Sequence, residues 1–395
     1  MVLFPGCKKH FCLLLAVCPL VFCFVSCKDE QTVKPVFEVS SFAPSISLEM
    51  DTLSLEPGNY SGQGFFRLIN DKVFFFDTKF FLVTGFDSMG NAEQSWLGMG
   101  EDSTEIEQFI TCTLLPGNED RLFFANDYNF RKYDSTWHKK SAPYLLKRKR
   151  KKGGFETDDL SIIGMYDFNW ESSSLSTLWL PVNSKSEIFI PLNITRKANK
   201  KVNKFTDPDL YFKNARTFGK VNSGDGAITQ IAGNYPDSYV ENKYLTMFSN
   251  MYMAKKKDSI LVSYEADKGI YVYSPDLKPQ YAFGLKGQLP MKTDYPLTGS
   301  HEDFYNTKFA DSCELNFGYY THLFYDEKSD LLFRSYTTGY GDHSGVQVYR
   351  DRVCIGDFKV PRRFNVIGRI GDYYYADGSI SNNKIEIFRF KINTK

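Results

Sequence analysis

Two loops in the C-terminal third of the chain carry residue types that can do chemistry. His301-Glu302-Asp303 places an imidazole beside two carboxylates. Such neighbours sometimes share a metal ion, but no second cluster of metal ligands accompanies them, and a solvated loop is the favoured interpretation. The segment from Gly339 to Gly345 is rich in glycine and lies between two predicted strands. It is therefore no phosphate-binding loop, which would precede a helix.

Binding residues concentrate on loops that a rigid scaffold holds in place. We therefore predict that a ligand site of this protein lies on these two loops. The predicted contact residues are His301, Glu302, Asp303, Tyr340, Asp342 and His343. A long hairpin tip without a ligand is the alternative for the second loop. His322, in a predicted strand, is expected to pack in the core.

The chain lacks the short motifs of common hydrolases and nucleotide-binding enzymes. No GxSxG, HExxH or P-loop sequence occurs. This favours a binding module over an enzyme, and no cofactor or metal is predicted. A hydrolase or lyase with a site at a central channel stays open as the alternative, because triads are recognised by geometry and not by sequence order.

One basic run stands out in a chain of net charge +1. It consists of Lys147, Arg148, Lys149, Arg150, Lys151 and Lys152. Clustered cations raise the local concentration of anions, so outside the inner membrane the run predicts an anionic envelope partner such as lipopolysaccharide phosphates or an acidic glycan. An exposed flexible loop is the favoured alternative. The balanced net charge argues against a nucleic-acid partner.

Cys27 is the most informative residue for location. It follows a basic start, Lys8-Lys9-His10, an apolar run from Phe11 to Val25 and the small residue Ser26. This order is typical of a secretory signal. A cysteine directly after the cleavage point resembles the bacterial lipobox, which implies cleavage before Cys27 and acylation of its thiol. The apolar run is shorter than the ~20 residues that span a membrane.

A recurring turn-and-strand pattern indicates the fold. A turn residue, usually Asp, precedes an apolar strand, and in most copies an alternating strand follows. The turn residues are Asp71, Asp120, Ser186, Asp258, Asp330 and Asp372. Aromatic residues, at 16% of the chain, also favour strands. The pattern predicts an all-β fold, a six-bladed β-propeller, with a seven-bladed propeller or a β-sandwich as alternatives.

The domain boundaries follow from these signals. We predict a signal peptide over 1–26, a lipidated tether over 27–57 and a propeller over 58–395. The end of the tether, Ile46 to Leu55, alternates and could close the ring against Ile385 to Ile392. Five side chains are expected to be buried between blades: Phe75, Phe124, Ile188, Leu261 and Leu332. Cys112, Cys313 and Cys354 are widely spaced, which favours buried thiols over a disulfide framework.

The lipobox, the short tether and six Asp-turn units together resemble the uncharacterised propeller-like lipoproteins of Bacteroides, which are grouped as domains of unknown function or TolB-like six-blade proteins. The start Cys27-Lys28-Asp29-Glu30 is a partial likeness to their surface-export signal, from which Lys28 departs. The resemblance implies a lipid anchor in the bacterial cell envelope, in the outer membrane, facing either the periplasm or the surface. The expected partners are the membrane and a glycan, peptide or envelope protein.

Overall fold

The structure is a computed structural model. It describes residues 35–117, 119–125, 129–146, 159–168, 179–194, 202–241, 245–296, 302, 306–341, 343–378, 380–381 and 384–394. These residues belong to one compact unit that begins at Pro35. The chain therefore enters the folded body well before residue 58, the predicted start of the propeller.

Three strands precede the first blade: β1 (Val36–Phe37), β2 (Ser41–Phe42) and β3 (Ile46–Leu55). Blade 1 holds β4 (Gly64–Ile69), β5 (Lys72–Asp77), β6 (Leu82–Phe86) and β7 (Ala92–Leu97). Blade 2 holds β8 (Thr111–Leu114), β9 (Arg121–Phe124), β10 (Asn129–Tyr133) and β11 (Tyr144–Leu145). Blade 3 holds β12 (Tyr166–Phe168), β13 (Glu187–Ile194), β14 (Phe218–Asn222) and β15 (Ile228–Ala232).

Blade 4 holds β16 (Met251–Lys256), β17 (Ser259–Tyr264), β18 (Ile270–Tyr273) and β19 (Pro279–Phe283). Blade 5 holds β20 (Tyr320–Asp326), β21 (Leu331–Thr337), β22 (His343–Arg350) and β23 (Val353–Pro361). Blade 6 holds β24 (Val366–Ile370), β25 (Tyr373–Ala376), β26 (Ile380–Ser381) and β27 (Lys384–Thr394). The described helices are short: α1 (Pro208–Asn214), α2 (Asp237–Glu241) and α3 (Thr307–Asn316). None of them is long and apolar enough to cross a membrane.

The six sheets form a six-bladed β-propeller, which confirms the predicted fold. Each predicted turn residue directly precedes the second strand of its blade. Each of the six turns contains a residue whose backbone adopts the left-handed conformation, which Asp, Asn and Gly adopt most easily. The left-handed residues are Asp71, Glu119, Ser186, Lys257, Asp330 and Gly371, with φ between 53° and 58°.

The ring closes through a strand from the N-terminal side of the chain. β3 pairs antiparallel with β27 in a ten-residue register that runs from Ile46 opposite Thr394 to Leu55 opposite Ile385. This is the pairing that the sequence predicts for the closing strand. β1 and β2 pair in parallel with β19 and β23, the outer strands of blades 4 and 5. These two short strands were not predicted from the sequence.

The core lies between neighbouring blades. The five side chains predicted to be buried there, Phe75, Phe124, Ile188, Leu261 and Leu332, are all less than 5% exposed. Cys112, Cys313 and Cys354 are buried free thiols, as predicted. Arg334 of β21 also joins two blades. Its guanidinium donates to the Lys268 carbonyl at 2.5 Å and lies 3.3 Å from the centre of the Tyr320 ring.

Candidate functional site

The two connections that carry the predicted site residues meet, in their described parts, on one face of the propeller, called the loop face below. One loop, residues 284–319, joins β19 to β20 and contains α3; the other joins β21 to β22. The Lys292 N–H donates to the Thr338 carbonyl at 2.9 Å, and the Gly318 N–H donates to the Lys292 carbonyl at 2.8 Å. Gly339 lies so close to Phe317 that a Cβ there would be 2.5 Å from its backbone.

The predicted contact residues are only partly described. Glu302, Tyr340 and His343 are exposed, and Tyr340 exposes 56% of its surface. His301, Asp303 and Asp342 lie outside the described residues, as do Cys27 and the basic run 147–152. Their roles stay predictions. Among the described residues, no three His, Cys, Asp or Glu side chains are grouped to hold a metal ion.

The structure adds an aromatic platform to this face, which consists of Phe248, Tyr295, Phe317 and Tyr319. The ring centre of Phe248 lies 4.5 Å from that of Tyr295, 5.3 Å from that of Tyr319 and 6.1 Å from that of Phe317. Phe248 is buried, whereas the other three rings are half-buried. A buried ring thus packs against three partly exposed aromatic residues.

Polar contacts hold the platform in place, and the Lys292 ammonium supplies a hydrogen-bond donor beside it. The Tyr295 hydroxyl donates to the Gly318 carbonyl at 2.7 Å. Lys292 places its ammonium 4.8 Å from the centre of the Phe317 ring. The side chain of Asn306 caps α3 by accepting from the Lys308 and Phe309 N–H groups. The rings and the neighbouring cation together make a surface that can stack on and hydrogen-bond to a ligand.

A buried carboxyl, Glu265, lies next to the platform, since its carbonyl accepts from the Tyr320 N–H at 2.9 Å. The carboxyl accepts from the Asn250 N–H at 3.0 Å and from the Tyr252 hydroxyl at 3.2 Å. Burial raises the pKa of Glu265 to about 7. Its bonds tie the end of β17 to the start of β16, so they hold together the inner strands of blade 4.

A second set of buried polar side chains comes from three neighbouring blades: His322 from blade 5, Asp377 from blade 6 and Arg67 from blade 1. His322 is 4% exposed, as predicted for a core residue, and its Nε2 lies 2.9 Å from the Val366 carbonyl. Burial, together with the charge of Arg67, lowers the pKa of His322 to about 4. Burial raises the pKa of Asp377 to about 6. Among the described residues, none makes a hydrogen bond with the His322 Nδ1 or the Asp377 Oδ1.

A cavity of about 300 Å³ lies between blades 4 and 5, at the lower end of the range for ligand pockets. Leu261 and Leu332 form part of its wall. At its rim, the Lys256 ammonium lies 3.0 Å from Asp330 Oδ1 and 3.3 Å from Asp351 Oδ1. These opposite charges satisfy one another, so the loop face remains the stronger candidate for the functional site.

The sequence reveals the loops but not the platform. Its rings come from positions spread over 248–319, without a periodic spacing. They meet because the 284–319 loop folds back onto the start of blade 4. Gly318, between Phe317 and Tyr319, is the nearest local signal, since glycine permits the close backbone approach that this loop contact requires.

Comparisons with known proteins agree with this architecture. No family model and no curated protein matches the sequence. A member of the DUF4221 family from Bacteroides vulgatus is 15% identical and superimposes with a TM-score of 0.62, covering 89% of this chain and 99% of that one. A Bacteroides fragilis protein, named as a candidate exported protein, is 13% identical with a TM-score of 0.51, covering 90% and 100%. At such identities the likeness shows the fold, and it confirms the resemblance to Bacteroides propeller proteins of unknown function.

Proposed function

We propose that this protein is a binding module of the bacterial cell envelope, anchored by a lipid on Cys27, whose loop face binds a glycan. The aromatic platform is the observation that carries this proposal. Sugar rings have an apolar face that packs on aromatic side chains, while their hydroxyls need donors and acceptors close by. The half-buried Tyr295, Phe317 and Tyr319 supply the rings, and Lys292 supplies a donor.

A screen of the full-length protein in detergent against envelope oligosaccharides and peptides tests this function. We expect saturable binding of an oligosaccharide, weakened about fivefold by Phe317→Ala or Tyr319→Ala, because stacking on one ring contributes about 1 kcal/mol. Met89→Ala is the matched control, because Met89 is 74% exposed and lies in the β6–β7 turn of blade 1. Selective binding of a peptide, or equal losses with the control, would contradict the glycan proposal.

A hydrolase or lyase acting at the central channel is the second candidate. It is favoured by the buried His322 and Asp377, which each keep one unpartnered polar atom. The same oligosaccharides are therefore assayed for cleavage. Turnover that disappears in His322→Ala but survives in Phe317→Ala would show that the protein is an enzyme and would overturn the proposal of a binding module.

The basic run 147–152 is proposed as a separate contact for an anionic envelope partner. Attraction through six clustered cations weakens steeply with salt, because screening shortens to about 8 Å at physiological ionic strength. Stacking on the platform depends little on salt. Salt dependence of binding therefore distinguishes the two surfaces.

A further inference from the structure

The segment 35–45, called the N-terminal strap below, has an inverted distribution of polar and apolar side chains around Val39. Two of its polar side chains contact the propeller: Glu38 pairs with Arg352, and the Ser40 hydroxyl accepts from the Gly284 N–H at 2.8 Å. Between them, Val39 is 92% exposed. A segment that faced water would place these side chains the other way round.

The exposed apolar residues of the strap form a patch, defined as Val36, Phe37, Val39 and Phe42. Val36 is 72% exposed, Phe37 46% and Phe42 42%. These four lie within seven consecutive positions, whereas the other large exposed apolar side chains of the described chain are mostly scattered singly. A concentrated patch of this kind marks a contact surface, and single exposed apolar residues do not.

Two cations flank the patch. The Lys268 ammonium lies 5.5 Å from the centre of the Phe37 ring, and Lys268 is exposed. The Arg352 side chain is 51% exposed on the other side of Glu38. Apolar side chains bordered by cations are the pattern of segments that lie at the interface of an anionic membrane.

The predicted anchor lies close to this patch along the chain. Nine peptide steps separate Cys27 from Val36, and an extended chain spans at most about 3.6 Å per step, so the patch lies within about 32 Å of the acylated residue. Acylation of Cys27 would keep the bilayer within this distance of the patch, whereas nothing keeps another copy of the protein there.

We infer that the N-terminal strap lies on the membrane, with the apolar patch in contact with lipid and Lys268 and Arg352 at the headgroups. The inference rests on the lipid anchor of the proposed function. β1 and β2 follow the outer edges of blades 4 and 5. The propeller therefore rests on its rim, which leaves the loop face open to a glycan.

Probes at two positions of the acylated full-length protein test this arrangement. Val39→Cys and the control Met89→Cys each receive a fluorophore, since the three native thiols of the described chain are buried. Both proteins are placed in vesicles of phosphatidylethanolamine and phosphatidylglycerol. At position 39 we expect quenching by a nitroxide on the lipid chains and several-fold protection from aqueous iodide. Position 89, in blade 1 and two to three blades away, should show the reverse.

A second variant separates contact from anchoring. Replacing Val36 and Val39 by serine, with the probe at Phe42→Cys, should reduce lipid quenching several-fold without changing palmitate uptake. These side chains are exposed, so the fold is not at risk. Protection from iodide that persists in detergent without lipid quenching would indicate a second copy on the patch and overturn the inference.

The outcomes distinguish the anchor from the membrane contact. Labelled palmitate should enter the wild type and not Cys27→Ala. Palmitate uptake with equal iodide quenching at positions 39 and 89 overturns the membrane contact alone. Absence of palmitate uptake in the wild type overturns the anchor and, with it, this inference.

Discussion

Individual buried groups of this propeller make its stability depend on pH. Burial raises the pKa of Glu265 to about 7 from the ordinary value of 4.5. Between these values the folded protein holds a proton that the unfolded chain has released. The free energy of unfolding therefore falls as the pH rises through this window, by about 1.4 kcal/mol per unit at most.

Glu265→Gln tests this prediction, because the amide keeps the shape of the side chain and cannot ionise. We expect denaturant titrations of the variant to lose the decline in stability between pH 4.5 and about 7. An unchanged pH profile in Glu265→Gln would show that Glu265 is ionised in the folded state.

His322 affects stability with the opposite sign, since its pKa of about 4 lies below the ordinary 6.5. The folded protein releases this proton at a lower pH than the unfolded chain, so the free energy of unfolding rises with pH between about 4 and 6.5. His322→Asn should remove this rise in a denaturant titration.

At the scale of elements, the closing strand β3 joins the two ends of the ring. Its terminal residues Ile46 and Leu55 are 2% and 3% exposed, whereas Met50 in its middle is 38% exposed. Truncating Ile46 or Leu55 to alanine should lower the free energy of unfolding by about 2–5 kcal/mol, because each leaves a cavity. Met50→Ala is the control and should change it by less than about 0.5 kcal/mol. Equal, small effects at all three positions would mean that the ring does not depend on this closure.

The elements also show how far the sequence leads. The six turns and the closing strand are predictable because each depends on local signals, a left-handed turn residue or an alternating strand. β14 in blade 3 was not recognised, because Gly219 and a buried Lys220 interrupt its alternation. β1 and β2 are two residues long and carry no pattern of their own. The platform rings meet only through the folding of a long loop, which no local signal determines.

At the scale of the whole molecule, the N-terminal strap and the closing strand β3 both add strands to the outer edges of blades. The strap pairs with the outer strands of blades 4 and 5, and β3 completes blade 6. These strands cover sheet edges that would otherwise invite aggregation. The same blades 4 and 5 carry the aromatic platform on the loop face. The proposed membrane contact of the strap and the proposed glycan site on the loop face together describe a protein that captures a ligand close to the envelope.

Hydrogen–deuterium exchange of the full-length protein, with and without the oligosaccharide that binds most tightly, tests the central claim of glycan binding most directly. The account predicts slower exchange in peptides covering 292–296, 317–320 and 338–341, since the inter-loop bonds of Lys292 and Gly318 become less able to open. Exchange around Met89 should not change. Protection confined to Asp377 and to the strands β4 and β20, which bear Arg67 and His322, with none in the two loops, would contradict the claim.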